Sequence, residues 1–549
     1  SREFWSTAYQ PTRKRPQRFE AIFSEGSAVF RGRYHDYDTH FVIAVSPEDD
    51  IVLRRLRITN RARIRRAVDV TSYAEVVLAP PVADALHPAF SNLFVQTEIL
   101  RRQRGILCTR RPRSRGEQAP WALHLMAVHG AEIEDVSYET DRMQFIGRGN
   151  TVADPQAMGE GAEFFSGALS DSEGSVLDPI VSIRCRITLN PEESATINMV
   201  SGIGETRDAA LSLVEKYQDR HLADRVFDLA WTHAQVLLRQ FNASEADAQF
   251  YGRLAGSVIY ANAALRADPS VIKKNHRGQS DLWGYAISGD LPIVLLQIED
   301  PAHIELVRQL VQAHAYWRLK GLAVDLMIWN EDHAGYRQLL HDQIMVLIAA
   351  STGISSLTDR PGAIFVRPVD QMSEEDRILI QTVARAIITD RRGALADQIK
   401  GRIPVEATVP LLATTRTHSP EPLPVAALPR HDLTFYNGLG GFSPDGREYV
   451  ITTAQGQVTP APWVNVLANP HFGTVVSESG MAYTWSENAH EFRLTPWGND
   501  PVSDSSGEAF YLRDEERGHF WSPTPLPSRG ATPYVTRHGF GYSVFEHLE

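Results

Sequence analysis

From residue 1 to about 203 the chain alternates apolar and polar positions. Phe41, Ile43 and Val45 are set against His40, Val42 and Ala44. In the run 51–59, Leu56 and Ile58 stand against Arg55 and Arg57. Val68, Val70 and Ser72 alternate with Asp69 and Thr71, and Ile183, Cys185, Ile187 and Leu189 with Arg184, Arg186 and Thr188. Period two predicts strands with one buried and one wet face. Ser46-Pro47-Glu48-Asp49 and Asn190-Pro191-Glu192-Glu193 supply turns between them. An antiparallel β-sandwich is expected over 1–205.

At Thr206 the period changes. Asp208-Ala209-Ala210-Leu211-Ser212-Leu213-Val214 has helical spacing, with Thr206 placed as its cap. Helices are expected at 222–239, 246–265, 304–319, 335–350 and 374–400. Their lengths and short connections predict an α-helical domain of antiparallel hairpins over 206–402. Pro404, Pro410, Pro420, Pro422, Pro424 and Pro429 then forbid a continuous helix. This makes 403–430 an extended linker, able to span roughly 80 Å at about 3.1 Å per residue. Residues 431–549 read as a second β-rich region. The fold class is therefore α+β and multidomain.

The chain also repeats itself. Phe4-Trp5-Ser6-Thr7 echoes Phe520-Trp521-Ser522-Pro523-Thr524, and 19–30 lines up with 534–545, where Ala28-Val29-Phe30 meets Ser543-Val544-Phe545. The chain thus begins and ends at one point of a repeat. The last region is the opening half of a second sandwich. The expectation is that 432–527 packs against 1–203 and completes a single two-sheet sandwich, within one chain or exchanged in a homodimer. Ser1-Arg2-Glu3-Phe4-Trp5 opens without a cap, and Leu548-Glu549 resembles a cloning remnant, so the chain reads as an engineered fragment.

Composition narrows the class. A chain of 549 residues with 43% hydrophobic and 22% charged positions is an ordinary globular chain with room for two or more domains. A net charge of -12 argues against a nucleic-acid partner. The arginines in 61–66 and 101–113 read as solvated strand faces and loops. Cys108 and Cys185 offer neither a disulfide framework nor zinc spacing, and no metal is expected. There is no run of eighteen apolar residues and no leader pattern.

Candidate chemistry lies in three places. The first is 436–527, where Trp463, Trp485, Trp497 and Trp521 sit among Tyr, Asn and Arg between turns. Flat aromatic faces beside amide and guanidinium donors suit a sugar ring. Trp485, Arg493 and Trp497 are the candidate contacts; an aromatic core of a β domain is the alternative. The second is 277–292, where Gly278, Gly284 and Gly289 permit tight backbone around Arg277, Gln279, Asp281, Trp283 and Asp290. Here the alternative is that Asp290 caps a helix beginning at Leu291-Pro292. The third is Asp325-Leu326-Met327-Ile328-Trp329-Asn330-Glu331-Asp332, whose Glu331 and Asp332 are candidates for a catalytic acid or members of a solvated loop.

The order of the aromatic blocks from Thr459 to Thr524 resembles the N-terminal β-sandwich of the inverting disaccharide phosphorylases, glycoside hydrolase family 94. It is most similar to the phosphorylase-like region of cyclic β-1,2-glucan synthases. The resemblance covers nearly the whole chain. It implies a carbohydrate-handling protein, with an α-helical domain that is part of an (α/α)6 barrel. It further implies a glucan oligosaccharide and the rest of a synthase as partners, on the cytoplasmic side of a bacterial inner membrane. Inorganic phosphate would be the co-substrate if the chain is active, with no other cofactor. In the family an Arg-containing strip ending in Asp-Leu holds the donor sugar. Asp290-Leu291 resembles its end, but the Arg falls near Gly284 and is missing. The family's acid lies in a Gly-Asp-Trp-Asn-Asp type loop, which 325–332 matches only loosely. An inverting phosphorylase needs one acid for the leaving oxygen while phosphate attacks from the opposite face. His276, Arg277 and His333 are available for phosphate, without specific spacing. A closed (α/α)6 barrel needs twelve helices, and roughly 195 residues supply about half of that. Three readings follow: a non-catalytic glucan-facing module, an active phosphorylase, or a structural sandwich without ligand.

Overall fold

The computed structural model describes residues 3–399 and 432–548, apart from 113, 115, 160–166, 242, 332–336, 353–361 and 517. The linker 403–430, Asp332 and His333 lie outside the described residues. The chain divides into two compact units: 1–23, 27–230 and 411–549 form one, and 24–26 with 231–410 the other.

The first unit opens with twelve strands: β1 (Arg18–Phe23), β2 (Ala28–Tyr34), β3 (Tyr37–Val45), β4 (Ile51–Asn60), β5 (Arg66–Thr71), β6 (Ala74–Glu75), β7 (Val95–Leu100), β8 (Gly105–Arg110), β9 (Trp121–His129), β10 (Ile133–Asp141), β11 (Pro179–Leu189) and β12 (Ser194–Gly204). Eight form one sheet in the order β1-β2-β3-β4-β12-β9-β8-β7, and β10-β11-β5, with β6 on β11, form a second. All pairs are antiparallel.

Period two sorts the large sheet's side chains onto two faces. Leu56, Ile58, Cys108, Met126 and Ile197 meet Val70, Ile183, Cys185 and Ile187 of the second sheet. Their neighbours Leu53, Leu107, Leu125 and Val200 meet Ala210, Val214, Tyr217, Ala223 and Val226 instead. Ala210 and Val214 lie on the helix Arg207–Lys216, Ala223 and Val226 on the helix Arg220–Gln240, and Tyr217 is the residue that ends the first. So the expectation of one wet face is corrected: the middle of this sheet is buried on both. Arg55, expected in solvent, is covered by the second helix. It donates to Asn198 Oδ1 at 2.8 Å and to Asp224 Oδ1 at 2.5 Å. Gly204 lets the first helix lie against the strand, since a Cβ there would come within 2.6 Å of the Ala210 nitrogen. Thr206 caps that helix by accepting from the Ala209 N–H.

The second unit departs from the all-helical expectation. Four parallel strands, β13 (Ile293–Ile298), β14 (Asp325–Asn330), β15 (Ile364–Pro368) and β16 (Ala386–Thr389), lie in the order β15-β14-β13-β16. The helices Ile304–Leu319, Arg337–Thr352 and Glu374–Val383 alternate with them. The partial (α/α) barrel is therefore replaced by an open α/β layer. The expected helix over 374–400 ends at Val383; a strand and a short helix, Leu395–Ile399, follow. Apolar runs such as Ile293-Val294-Leu295-Leu296 are buried on alternate faces, Val294 and Leu296 on one and Ile293 and Leu295 on the other. A strand covered on both sides shows no period, which is why these were missed. No helix starts at Leu291-Pro292, so the capping role expected of Asp290 is corrected too: the chain enters β13. Among the described residues no helix is long and apolar enough to cross a membrane.

The last region returns to the first unit. It holds β17 (Gly440–Phe442), β18 (Glu448–Thr453), β19 (Val464–Asn469), β20 (Phe472–Ser477), β21 (Ala482–Ser486), β22 (Leu512–Arg513), β23 (Phe520–Trp521), β24 (Tyr534–Gly539) and β25 (Tyr542–His547). The sheets are β17-β18-β24-β25, β19-β20-β21 and β22-β23. Among the described residues none includes a strand from before residue 205, so the expected single two-sheet sandwich is not formed. The region does pack on the first sandwich, through ion pairs and a small core. Val502 joins Phe145, Ile146, Leu169 and Ile180, and the Gly149 N–H donates to the Val502 carbonyl at 2.7 Å.

Two arginines make this joint. Arg148 Nη2, 5% exposed, donates to Glu478 Oε1 at 3.0 Å and Asp504 Oδ2 at 2.8 Å. Burial pushes the Glu478 carboxyl up against the opposing effects of Thr459 and Arg148. Ser477 and Ser479 donate to Asp504, so hydroxyls supply what one guanidinium cannot. Arg142 forks onto Asp500 at 2.7 and 2.9 Å and gives one nitrogen to Asp178 at 3.0 Å. Burial raises both carboxyls; it wins at Asp178, whereas Arg142 and Ser503 overcome it at Asp500 and hold that group at about 2.

Two outcomes follow. Arg148→Met leaves two carboxylates buried without their cation, and we expect a loss of about 3–5 kcal/mol, read from urea midpoints at constant slope. Asp500 has a folded value of about 2 against ~3.9 unfolded. A depressed carboxyl contributes stability that is full above about pH 4 and is lost as pH falls through about 2. Asp500→Asn should cost about 2 kcal/mol at pH 7 and almost nothing near pH 1, below both values, flattening the acid limb of the stability curve.

Candidate functional site

The sequence candidates resolve into two clusters, one in each unit. The first stands on the β20–β21 hairpin. Gly473 pairs with Trp485 across it. A Cβ at Gly473 would lie 2.3 Å from the indole, so only glycine lets that ring lie flat across the neighbouring strand. Tyr483, two positions earlier on the same face, stands 5.4 Å from Trp485 and stacks on Trp497 at 4.8 Å and 14°. The Arg493 guanidinium lies 5.4 Å from the Trp497 ring, a cation–π distance. Arg493 also bridges the backbone of Trp485. The loop carrying Arg493 and Trp497 is pinned by Glu508, which accepts from Thr484 at 2.7 Å and Thr495 at 2.6 Å.

The result is a layered platform. Tyr483 is 5% exposed at its base, while Trp485, Arg493 and Trp497 are half-buried. Trp485, Arg493 and Trp497 are thus brought together as the sequence predicts. Tyr483 is the member that sequence reasoning missed. Its signal was present: it is the aromatic two positions before Trp485 on a strand of period two.

The second cluster is the loop before β13, wound as a 3-10 helix over Gln279–Tyr285. Arg277 donates to Glu375 at 3.0 and 2.7 Å and to Asp281 at 3.1 Å, and pairs with Asp376 at 3.2 Å. Asp281 accepts from the Gly278 N–H at 2.9 Å. Gln279 Nε2 donates to Asp290 Oδ1 at 3.1 Å and to the Ser288 carbonyl at 3.0 Å, and Trp283 Nε1 donates to that same carbonyl at 3.3 Å. These groups bond one another and hold the loop's shape. Three carboxylates surround Arg277, and the Trp283 ring is 65% exposed.

Glu331 lies just past the carboxyl end of β14. It pairs with Arg391 at 3.2 Å, and Arg391 also holds Glu299 at 2.7 Å. Among the described residues no group of three or more His, Cys, Asp or Glu could hold a metal ion.

The family model "Glycosyl hydrolase 94, supersandwich domain" matches residues 1–220 and 447–549. That is more than half of the chain, and the chain belongs to this family. It is 33% identical, over 99% of its own length, to the cyclic beta-(1,2)-glucan synthase NdvB of Rhizobium meliloti (strain 1021), and covers 19% of that protein. It is 38% identical over 109 residues to an N,N'-diacetylchitobiose phosphorylase of Vibrio furnissii, which is 19% of this chain and 13% of the relative. The chain thus spans about a fifth or less of these relatives. A GH36 alpha-galactosidase from Geobacillus stearothermophilus is 10% identical, covering 61% of this chain and 42% of its own, with a TM-score of 0.17, at which no shared fold is implied. The platform of Tyr483, Trp485, Arg493 and Trp497 lies inside the family-matched residues; the Arg277–Asp290 loop and Glu331 lie outside them.

Proposed function

We propose that this chain is a non-catalytic, glucan-facing module of a cyclic β-1,2-glucan synthase, holding or guiding the glucan during chain-length control. The observation that carries the reading is the Tyr483–Trp497–Arg493 stack within the family-matched region. Aromatic rings present CH–π faces to a pyranose, and the guanidinium held over the Trp497 ring can donate to its hydroxyls. Identity to the synthase along nearly the whole chain supports β-1,2-glucan as the ligand. The partners in this reading are the glucan and the rest of a membrane-bound parent at the inner membrane.

Catalysis by the chain alone lacks support in the residues. The candidate acid Glu331 is tied to Arg391. Arg277, the candidate phosphate cation, is occupied by Glu375, Asp281 and Asp376. Trp283 and Asp290 keep a place in the proposal only as a second, weaker sugar contact.

The test is calorimetric titration with β-1,2-linked glucooligosaccharides. Trp497→Ala should weaken binding by at least about 2 kcal/mol, some thirtyfold, as for a buried aromatic anchor. Trp283→Ala should have a smaller effect. Undiminished binding by both Trp497→Ala and Trp485→Ala would remove the platform from the proposal. Release of glucose 1-phosphate from glucan and phosphate would replace it with the phosphorylase reading.

A further inference from the structure

Where the helix Arg220–Gln240 covers the large sheet, a polar group interrupts an apolar face. Arg55 on β4 stands directly opposite Asn198 on β12, and Ala127 on β9 flanks Asn198 on its other side. His129, two residues beyond Ala127, shares their face. Leu53, Val200, Leu125 and Ala127 on the same face belong to the core beneath the helices.

The Arg55 guanidinium is held by three contacts. Nε donates to Asn198 Oδ1 at 2.8 Å, Nη1 donates to Asp224 Oδ1 at 2.5 Å, and Cζ lies 4.8 Å from the centre of the Phe227 ring. Nη2 is buried and has no hydrogen-bond partner among the described residues. The same is true of Asn198 Nδ2, in a side chain 0% exposed, and of His129 Nε2. Because Asn198 Oδ1 faces the guanidinium, Nδ2 is fixed as a donor. Guanidinium and amide nitrogens donate and do not accept, and a neutral imidazole protonated at Nε2 adds a third donor. Buried donors that lack acceptors are costly. What supplies acceptors and asks for no acceptor in return is an anion.

The charge agrees with the geometry. Burial lowers the His129 pKa, and Arg220, Arg55 and Arg104 lower it further. Asp224 opposes them, but Arg55 Nη1 already holds that carboxylate. The spot is therefore positive in a chain of net charge -12. Diagonal neighbours on antiparallel strands stand about 7–8 Å apart, so one tetrahedral ion spans from Asn198 to His129. A carboxylate brings two oxygens to three donors; a phosphate brings four.

We propose that Arg55, Asn198 and His129 form a binding site for inorganic phosphate, enclosed beneath the helix Arg220–Gln240 and on a different sheet from the aromatic platform. Arg55 Nη2 and Asn198 Nδ2 donate to two of its oxygens, and His129 Nε2 to a third. Arg220 and Arg104 supply the further positive charge that a dianion needs. The ion ties the helix to the sheet and takes part in no reaction.

The test is thermal unfolding of the chain at constant ionic strength, with chloride exchanged for phosphate. The melting temperature should rise with the logarithm of phosphate concentration, as for a ligand of the folded state. Asn198→Asp keeps the oxygen that meets Arg55 and puts a carboxylate oxygen in place of Nδ2, so it should abolish the rise. Stabilisation by salt exclusion would survive that substitution. If Asn198→Asp does not fold, calorimetric titration of two other variants decides: His129→Leu should weaken phosphate binding at least tenfold, and His129→Gln, which returns a donor near Nε2, should restore it. Glucose 1-phosphate, whose sugar cannot follow the phosphate to donors shielded from solvent, should bind the parent at least tenfold more weakly than phosphate. No phosphate response, a response that survives Asn198→Asp, binding indifferent to His129→Leu, or equal affinity for glucose 1-phosphate overturns the proposal.

Discussion

The first unit depends on one buried guanidinium. Arg148 reaches across more than three hundred positions of sequence to Glu478 and Asp504, and all three side chains are at least nineteen-twentieths buried. One cation between two carboxylates is a poor source of net stability, because desolvation cancels most of the attraction. It is a strong determinant of geometry, because any other arrangement strands a charge. The β19–β21 sheet must therefore present Glu478 at one place. The hydroxyls of Thr459, Ser477 and Ser479 complete the shell. The hairpin that carries Tyr483 and Trp485 starts from this anchor, so the aromatic platform inherits its position.

The sandwich was legible because its strands alternate. What alternation did not reveal is that both faces of a sheet can be buried. Leu53 and Leu56 look like a broken period, yet each enters a different core. One basic position that suggested a wet face, Arg55, finds its partner Asp224 on a covering helix, whereas Arg186 pairs with Asp69 on the neighbouring strand. In the second unit the helix centres were legible from amphipathic spacing. The parallel strands between them were not, because a strand of uniformly buried residues carries no period. The motif before β13 stands out for its glycines and polar groups, and a helix from Leu291-Pro292 is only one of its two readings. β14 lies in the stretch weighed as an acid loop and β16 inside the helix expected over 374–400, so three of the four parallel strands are hidden in other readings.

The candidate site divides along the same physical line. Trp485, Arg493 and Trp497 were found because aromatic and cationic residues close in sequence are close in space across a hairpin. Arg277, Gln279, Asp281 and Asp290 were found for the same reason, but proximity does not say what they face. Glu375 and Asp376, a hundred residues away, claim Arg277. No local pattern announces a partner that distant.

The two copies of the repeated hairpin, β1–β2 with β1 exposed throughout and β24–β25 with β24 mostly buried, show that burial belongs to the surroundings of a strand rather than to the strand. Side-chain chemistry has nevertheless followed those surroundings. At the covered positions β24 carries Tyr534, Thr536 and His538, whose polar tips each meet a backbone carbonyl of the covering segment. At the matching positions β1 carries Phe19, Ala21 and Phe23, which can make no such bonds.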